Sequence, residues 1–158
     1  RGLGDVYKRQ IEYMDVGTSN NWMPSDVFFS ERIISSLKEK YKLSEVGRQE
    51  GQTAHRWYMH DSKSFISTIS SVSNPFCSDC NRLRITSDGY AYTCLFSSKG
   101  KNLNPWLSLP INTSELEKEI KRIWTYRDDN YSENRIRFLE NKTNENQKNN
   151  PSMAYLGG

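Results

Sequence analysis

The sequence has no apolar run close to the roughly 20 residues that a membrane-spanning helix requires. It also lacks the basic start, apolar middle and small-residue cleavage site of a secretory signal. Only three cysteines occur among its 158 residues, an odd number, so they cannot all pair with one another within one chain. Only two histidines occur, His55 and His60, and neither stands at zinc-finger spacing from a cysteine pair. A strong charge of one sign is missing too: 22 Lys and Arg against 19 Asp and Glu leave a net +3, with a pI near 8.7. Nucleic-acid-binding domains carry a larger, clustered excess. The interspersed charges here read as a solvated surface with room for one local anion site.

Apolar residues are scarce, at 35% with a mean hydropathy of −0.83, so the 12% of aromatics must supply much of the buried area. The length suits one domain, or one small domain with part of another. Without a secretion signal the cytosol is the expected compartment, where clustered cysteines more often bind metal or catalyse than form disulfides.

Arg1–Gln10 has no clear period and is set apart as a suspect, non-native leader. Ile11–Val16 reads as a short strand, and Val27–Phe29 as another. Ser30 is the expected N-cap of a helix to about Tyr41, whose apolar face is Ile33, Ile34, Leu37 and Tyr41. Ala54–His60 and Ser64–Ser71 read as strands around the turn Asp61-Ser62-Lys63. Asn81–Thr86 and Tyr90–Phe96 flank Ser87-Asp88-Gly89, a hairpin signal. Ser114 through Glu117 forms a capping box for a second helix with Leu116, Ile120, Ile123 and Trp124 on its buried stripe. Residues 141–150 hold no apolar side chain and read as a flexible polar linker. Residues 151–158 turn apolar again, a docking tail ending in Gly157-Gly158.

Cys77-Ser78-Asp79-Cys80 is a C-x2-C knuckle, and thirteen residues separate Cys80 from Cys94. The hairpin at Asp88-Gly89 turns the chain back and carries Cys94 toward Cys80. Soft thiolates suit either zinc or an iron–sulfur cluster, and the spacing alone leaves both open beside three unligated cysteines. Three thiolates without a fourth ligand suit a 4Fe–4S cluster with one iron open. Arg82 and Arg84 would share one strand face with Leu83 on the other, two guanidiniums able to clamp phosphate or a purine edge. Register decides whether they face the metal. A two-residue loop sets Cys94 opposite Leu83; a three-residue loop sets Thr86 opposite Tyr90 and Cys94 opposite Arg82.

Four stretches, IEYMDVG, SVSNPFCSDCNRLRITSDGYAYTCLF, IWTYRDDNYSENR and the final MAYLGG, together resemble the GTP 3′,8-cyclase family of molybdenum cofactor biosynthesis. These are radical S-adenosylmethionine enzymes that convert GTP to (8S)-3′,8-cyclo-7,8-dihydroguanosine triphosphate. The likeness runs from about Ile11 to Gly158. It implies an α/β fold: the last strand region of an incomplete TIM-type (β/α) barrel over residues 11–24, then an α+β iron–sulfur domain over residues 25–140. By position it implies that Cys77, Cys80 and Cys94 hold the second 4Fe–4S cluster, with an open iron. It further implies that Arg82, Leu83 and Arg84 bind GTP, that Met14 contacts S-adenosylmethionine, and that Gly157 and Gly158 enter the active site.

The sequence departs from the family in having no C-x3-C-x2-C, the motif whose cluster cleaves S-adenosylmethionine. The chain is therefore expected to be the C-terminal part of a longer enzyme, a lyase, and inactive alone. GTP is the implied substrate, and cyclic pyranopterin monophosphate synthase the implied partner, taking the product; nucleic acid and membrane are not, and a homodimer is left open. Two other readings compete: a stand-alone zinc-binding module for nucleic acid, and an auxiliary-cluster domain of a different radical enzyme.

Overall fold

The computed structural model describes residues 7–16, 22–135 and 151–156. The chain divides into two compact units, one of residues 1–15 with 22–80 and one of residues 16–21 with 81–158. Both are mixed α/β, each with one sheet and few helices among the described residues.

The first unit is built on strands β1 (Tyr7–Ile11), β2 (Leu43–Gly47), β3 (His55–Met59) and β4 (Ser64–Ile69), with helix α1 over Ser30–Lys38. The sheet order is β1-β4-β3-β2. β1 runs parallel to β4, while β3 is antiparallel to both β4 and β2. Val27, Ile34, Ile66 and Ile69 are its buried apolar residues. The Lys38 ammonium lies 4.6 Å from the ring centroid of Trp57, which sets the end of α1 over the sheet face that Trp57 shares with Ile66. On the opposite face Tyr58 packs on Phe65, with ring centroids 5.2 Å apart.

Glu12 follows β1 and is 2% exposed. One carboxylate oxygen accepts from Ser30 N–H at 2.9 Å and from the Ser73 hydroxyl at 2.6 Å. The other accepts from Val72 N–H and Ser73 N–H, each at 2.9 Å. A buried charge is tolerated only when its lone pairs are met in this way. One side chain thus joins the end of β1, the start of α1 and the segment after β4.

The second unit carries β5 (Arg84–Ile85), β6 (Tyr90–Tyr92) and β7 (Lys101–Asn102) in that order, with α2 (Asn104–Leu107) and α3 (Thr113–Thr125). Its core is Ala91, Leu103 and Ile123, with Leu83, Leu107, Leu116 and Ile120 packed against them. Gly89 has φ +85° and its missing Cβ would fall 2.9 Å from Asn104 Cγ. Both the left-handed backbone and the contact demand glycine there.

Several expected elements move. β1 is Tyr7–Ile11 rather than Ile11–Val16, so most of this strand lies in the segment set apart as a leader. The ladder stops after Glu12 N–H reaches Ile69 O, at 3.1 Å, because the Glu12 side chain is turned to its own partners. Val27–Phe29 forms no strand. Phe29, not Ser30, caps α1, since the Ser30 N–H is taken by Glu12. α1 ends at Lys38, and Tyr41 is exposed. Asn112, not Ser114, caps α3, its side chain accepting from Glu115 N–H at 3.2 Å. Of the expected helix stripe, Ile123 is in the core cluster and Leu116 and Ile120 pack against it, while Trp124 lies outside it, half-buried under the Arg127 guanidinium.

Burial opposes the Glu12 charge, but the Ser30, Ser73 and Val72 donors outweigh it and hold the carboxyl below its ordinary value of 4.5. A carboxyl lowered on folding stabilises the fold fully above that ordinary value and loses the effect as pH falls through its folded value. Glu12→Gln should cost about 3 kcal/mol at pH 7, because one oxygen's donors lose a charged acceptor in a buried place. Denaturant unfolding at pH 7 and pH 4 checks it: the deficit of the variant should narrow at the lower pH.

Candidate functional site

In the first unit the knuckle is formed as a turn. Asp79 N–H reaches Phe76 O at 3.3 Å, and Cys80 N–H reaches Cys77 O at 3.2 Å. This pattern brings the two cysteines to one side of a tight loop, with both thiols half-buried and neither in a disulfide. Asp79, a residue that the C-x2-C spacing treats as filler, accepts from Gly51 N–H at 3.0 Å and faces Arg48 Nη2 at 3.5 Å. The Arg48 guanidinium lies 5.3 Å over the Phe76 ring.

Cys94, in the second unit, is half-buried and also outside any disulfide. It follows β6, and its sulfur accepts from Phe96 N–H at 3.4 Å. Such N–H···S contacts stabilise a thiolate ligand and tune cluster potentials. The Phe96 ring stacks on Tyr131 at 4.5 Å and 17°. Arg135, 3% exposed, places its guanidinium 5.2 Å from the Phe96 ring and 5.7 Å from the Tyr131 ring. The cysteine loop is thereby braced by the IWTYRDDNYSENR stretch.

The hairpin has the three-residue loop. Arg84 faces Tyr92, Ile85 faces Ala91, and Thr86 N–H bonds Tyr90 O at 2.9 Å. The strands are shorter than expected, and the ladder ends at the Arg84–Tyr92 pair. Beyond that pair the chain leaves the ladder, with a bend at Thr93 and Cys94, so Cys94 has no strand partner. Leu83 packs into the core, so Arg82 and Arg84 are turned away from it at the entry to β5. Both arginines are half-buried.

Other sequence candidates are placed as follows. Met14 is half-buried in the irregular segment after β1. Gly157 and Gly158 lie outside the described residues, as does the linker 141–150. His55 Nε2 sits 2.8 Å from Glu45 Oε1, and His60 Nε2 sits 2.7 Å from Ser44 Oγ. Among the described residues no group of three or more His, Cys, Asp or Glu is gathered to hold a metal ion. The donor set itself, three cysteines of which two stand in one tight turn, has the soft chemistry of an iron–sulfur site.

Sequence reasoning missed Glu12, Arg48, Asp79 and the Phe96–Tyr131–Arg135 stack. A lone carboxylate inside the apolar run IEYM was the available signal for Glu12. A cleft of about 200 Å³ was missed as well; it is lined by Arg9, Gln49, Gln52, Ala54, Arg56 and Ser67. Arg9 and Arg56 flank Ser67 in register on one sheet face, a cationic and amide-rich surface suited to a small anion.

The chain's last described residues touch the hairpin turn. The Tyr155 hydroxyl donates to Asp88, 2.9 Å from Oδ2 and 3.1 Å from Oδ1, and Leu156 is buried. The Thr86 hydroxyl first, and Tyr155 second, hold the Asp88 carboxyl below its ordinary value. The Asn104 amide donates to Asp88 O at 2.9 Å.

The family model described as Molybdenum Cofactor Synthesis C matches residues 8–133. Curated relatives named GTP 3′,8-cyclase are similar to the chain. One from Synechococcus sp. strain WH7803 is 41% identical over 153 residues, covering 97% of this chain and 42% of the relative. One from Synechococcus sp. strain CC9605 is 42% identical over 150 residues, covering 95% and 41%. One from Staphylococcus epidermidis is 35% identical over 157 residues, covering 98% and 45%. The chain thus spans less than half the length of these relatives.

Tyr155→Phe removes the tail's hydroxyl contact with Asp88 while leaving the ring against Tyr92, whose centroid is 6.2 Å away. Amide hydrogen exchange at residues 152–156 should then rise several-fold at constant pH, with β5 and β6 unchanged. An unchanged rate would mean that Leu156 alone holds the tail.

Proposed function

The chain belongs to the Molybdenum Cofactor Synthesis C family, and on that premise we propose that it is the C-terminal, substrate-side part of a GTP 3′,8-cyclase. In this reading residues 11–24 close an incomplete (β/α) barrel. Cys77, Cys80 and Cys94 hold a 4Fe–4S cluster, and Arg82, Leu83 and Arg84 bind GTP. The observation that supports it is the hairpin: its three-residue loop sets Arg84 opposite Tyr92 while Leu83 packs into the core.

When bound, the cluster supplies an open iron, a Lewis-acidic point of attachment for the purine. The chain's own residues do the rest of the holding. Arg82 and Arg84 give charge-assisted hydrogen bonds, a contribution that guanidinium geometry makes directional. Leu83 keeps its side chain in the core and leaves its backbone groups to the ligand. Phe96 N–H stabilises the Cys94 thiolate. Met14 is assigned to S-adenosylmethionine, and Gly157-Gly158 to the active-site channel, where only a bare backbone fits.

Radical formation is assigned to the C-x3-C-x2-C motif that this sequence does not contain, so the chain alone should not turn over GTP. It is assigned to the cytoplasm, with its product passed to cyclic pyranopterin monophosphate synthase.

Anaerobic reconstitution with iron and sulfide tests the proposal. It should give about four irons per chain and a reduced-state magnetic resonance signal that shifts on adding GTP. Serine at Cys77, Cys80 or Cys94 should each abolish the signal. Arg82→Ala and Arg84→Ala should each weaken GTP binding by about 1.5–3 kcal/mol while leaving iron content unchanged. One tightly held zinc with no response to GTP would overturn the reading.

A further inference from the structure

The knuckle's two thiols are spaced by Ser78 and Asp79, and Asp79 is tied to a distant part of its unit. Its Oδ1 accepts from the backbone of Gly51, 28 positions away in sequence, at 3.0 Å. Gly51 stands in the left-handed region at φ +69°, the conformation that a side chain would strain. The preceding turn is closed by Gln52 N–H to Gln49 O at 3.0 Å. Arg48, at the head of the same loop, approaches Asp79 Oδ2 at 3.5 Å while covering Phe76. With both side chains about 30% exposed, the charge attraction is screened. The Gly51 bond and the Arg48–Phe76 stack therefore carry the tether. The upstream side of the same segment is held by Glu12 through Val72 and Ser73.

We infer that Asp79 is a positioning residue for the Cys77–Cys80 ligand pair, locking the knuckle in its chelating turn against the Arg48–Gly51 loop before any metal arrives. The inference rests on the reading of these cysteines as cluster ligands. A loop held in its bound shape loses less freedom on binding. Groups behind metal ligands are typically worth about 10- to 100-fold in metal affinity.

Two measurements on the full chain separate this from general stability. The first follows iron loss from the reconstituted chain to a chelator. Asp79→Ala should release iron about tenfold faster than wild type, with an unchanged unfolding transition. Asp79→Asn keeps an acceptor for Gly51 N–H and should recover most of the difference. Combining Arg48→Ala with Asp79→Ala should be no worse than Asp79→Ala alone, as expected for two parts of one tether.

The second uses phenylarsine oxide in the Cys94→Ser background, where Cys77 and Cys80 are the remaining thiols. Each arsenic takes two thiols and releases one water, with no redox change. Asp79→Ala should weaken this binding about tenfold as well, and Asp79→Asn should restore it. A folded Asp79→Ala chain matching wild type in the arsenical assay would overturn the inference. If that variant does not fold, Arg48→Ala against wild type decides in the same assay. Failure of the wild-type chain to take up iron would sink the cluster reading instead, and the arsenical comparison would still judge the tether.

Discussion

The Glu12 carboxylate is the constraint on which the first unit depends. Taking a charge out of water costs several kcal/mol unless the surroundings replace its hydration. Here four donors do so, three of them backbone N–H groups from two separate segments. Backbone donors cannot be supplied without fixing the chain that bears them. Satisfying one side chain therefore sets where α1 begins, how β1 ends, and where residues 72–73 lie. Five positions further on from Val72 the chain reaches Cys77, so the knuckle inherits its starting point from this carboxylate.

The second unit solves the same positioning problem without a buried charge. Its hairpin turn is packed by the Gly89–Asn104 approach and bonded by Thr86 Oγ1, which lies 2.5 Å from Asp88 Oδ1 and 3.0 Å from Tyr90 N. Thr86 and Gly89 are buried while Ser87 and Asp88 are exposed, so these part-buried bonds fix the turn from its inner side. That geometry is the register. A slip of one residue would swap Leu83 with its arginine neighbours between core and surface, and burying Leu83 against Ala91 and Leu103 opposes the slip.

What could be read from the sequence was whatever carried a period or a local turn. β3, β4, the hairpin and both longer helices announced themselves through alternation, i, i+4 spacing or Asp-Gly. β2 did not: Leu43-Ser-Glu-Val-Gly47 has charge at its centre and glycine at its end, and it pairs on one side only. β7 is two residues long and exposed. The cap of α1 was misread because a Ser before an apolar stripe is a sound local signal. The nonlocal claim of Glu12 on the Ser30 N–H displaced it. At the site, the cysteines and arginines were legible as side chains with chemistry. Their supports were not, because Asp79 and Glu12 bond to backbone N–H groups, which have no residue signature, across separations of 28 and 60 positions.

The same distinction bears on how the two cysteine-bearing segments are held. Cys77 and Cys80 belong to one compact unit and Cys94 to the other, and each is prepared by contacts inside its own unit. The knuckle leans on Asp79, Arg48 and Glu12; the third cysteine leans on Phe96 N–H and on the Tyr131–Arg135 stack. A loop already held in one shape loses less freedom when it binds a ligand. Two of the stretches that resemble the cyclase family, SVSNPFCSDCNRLRITSDGYAYTCLF and IWTYRDDNYSENR, hold most of these contacts. That supplies a physical reason for their occurring together in one sequence.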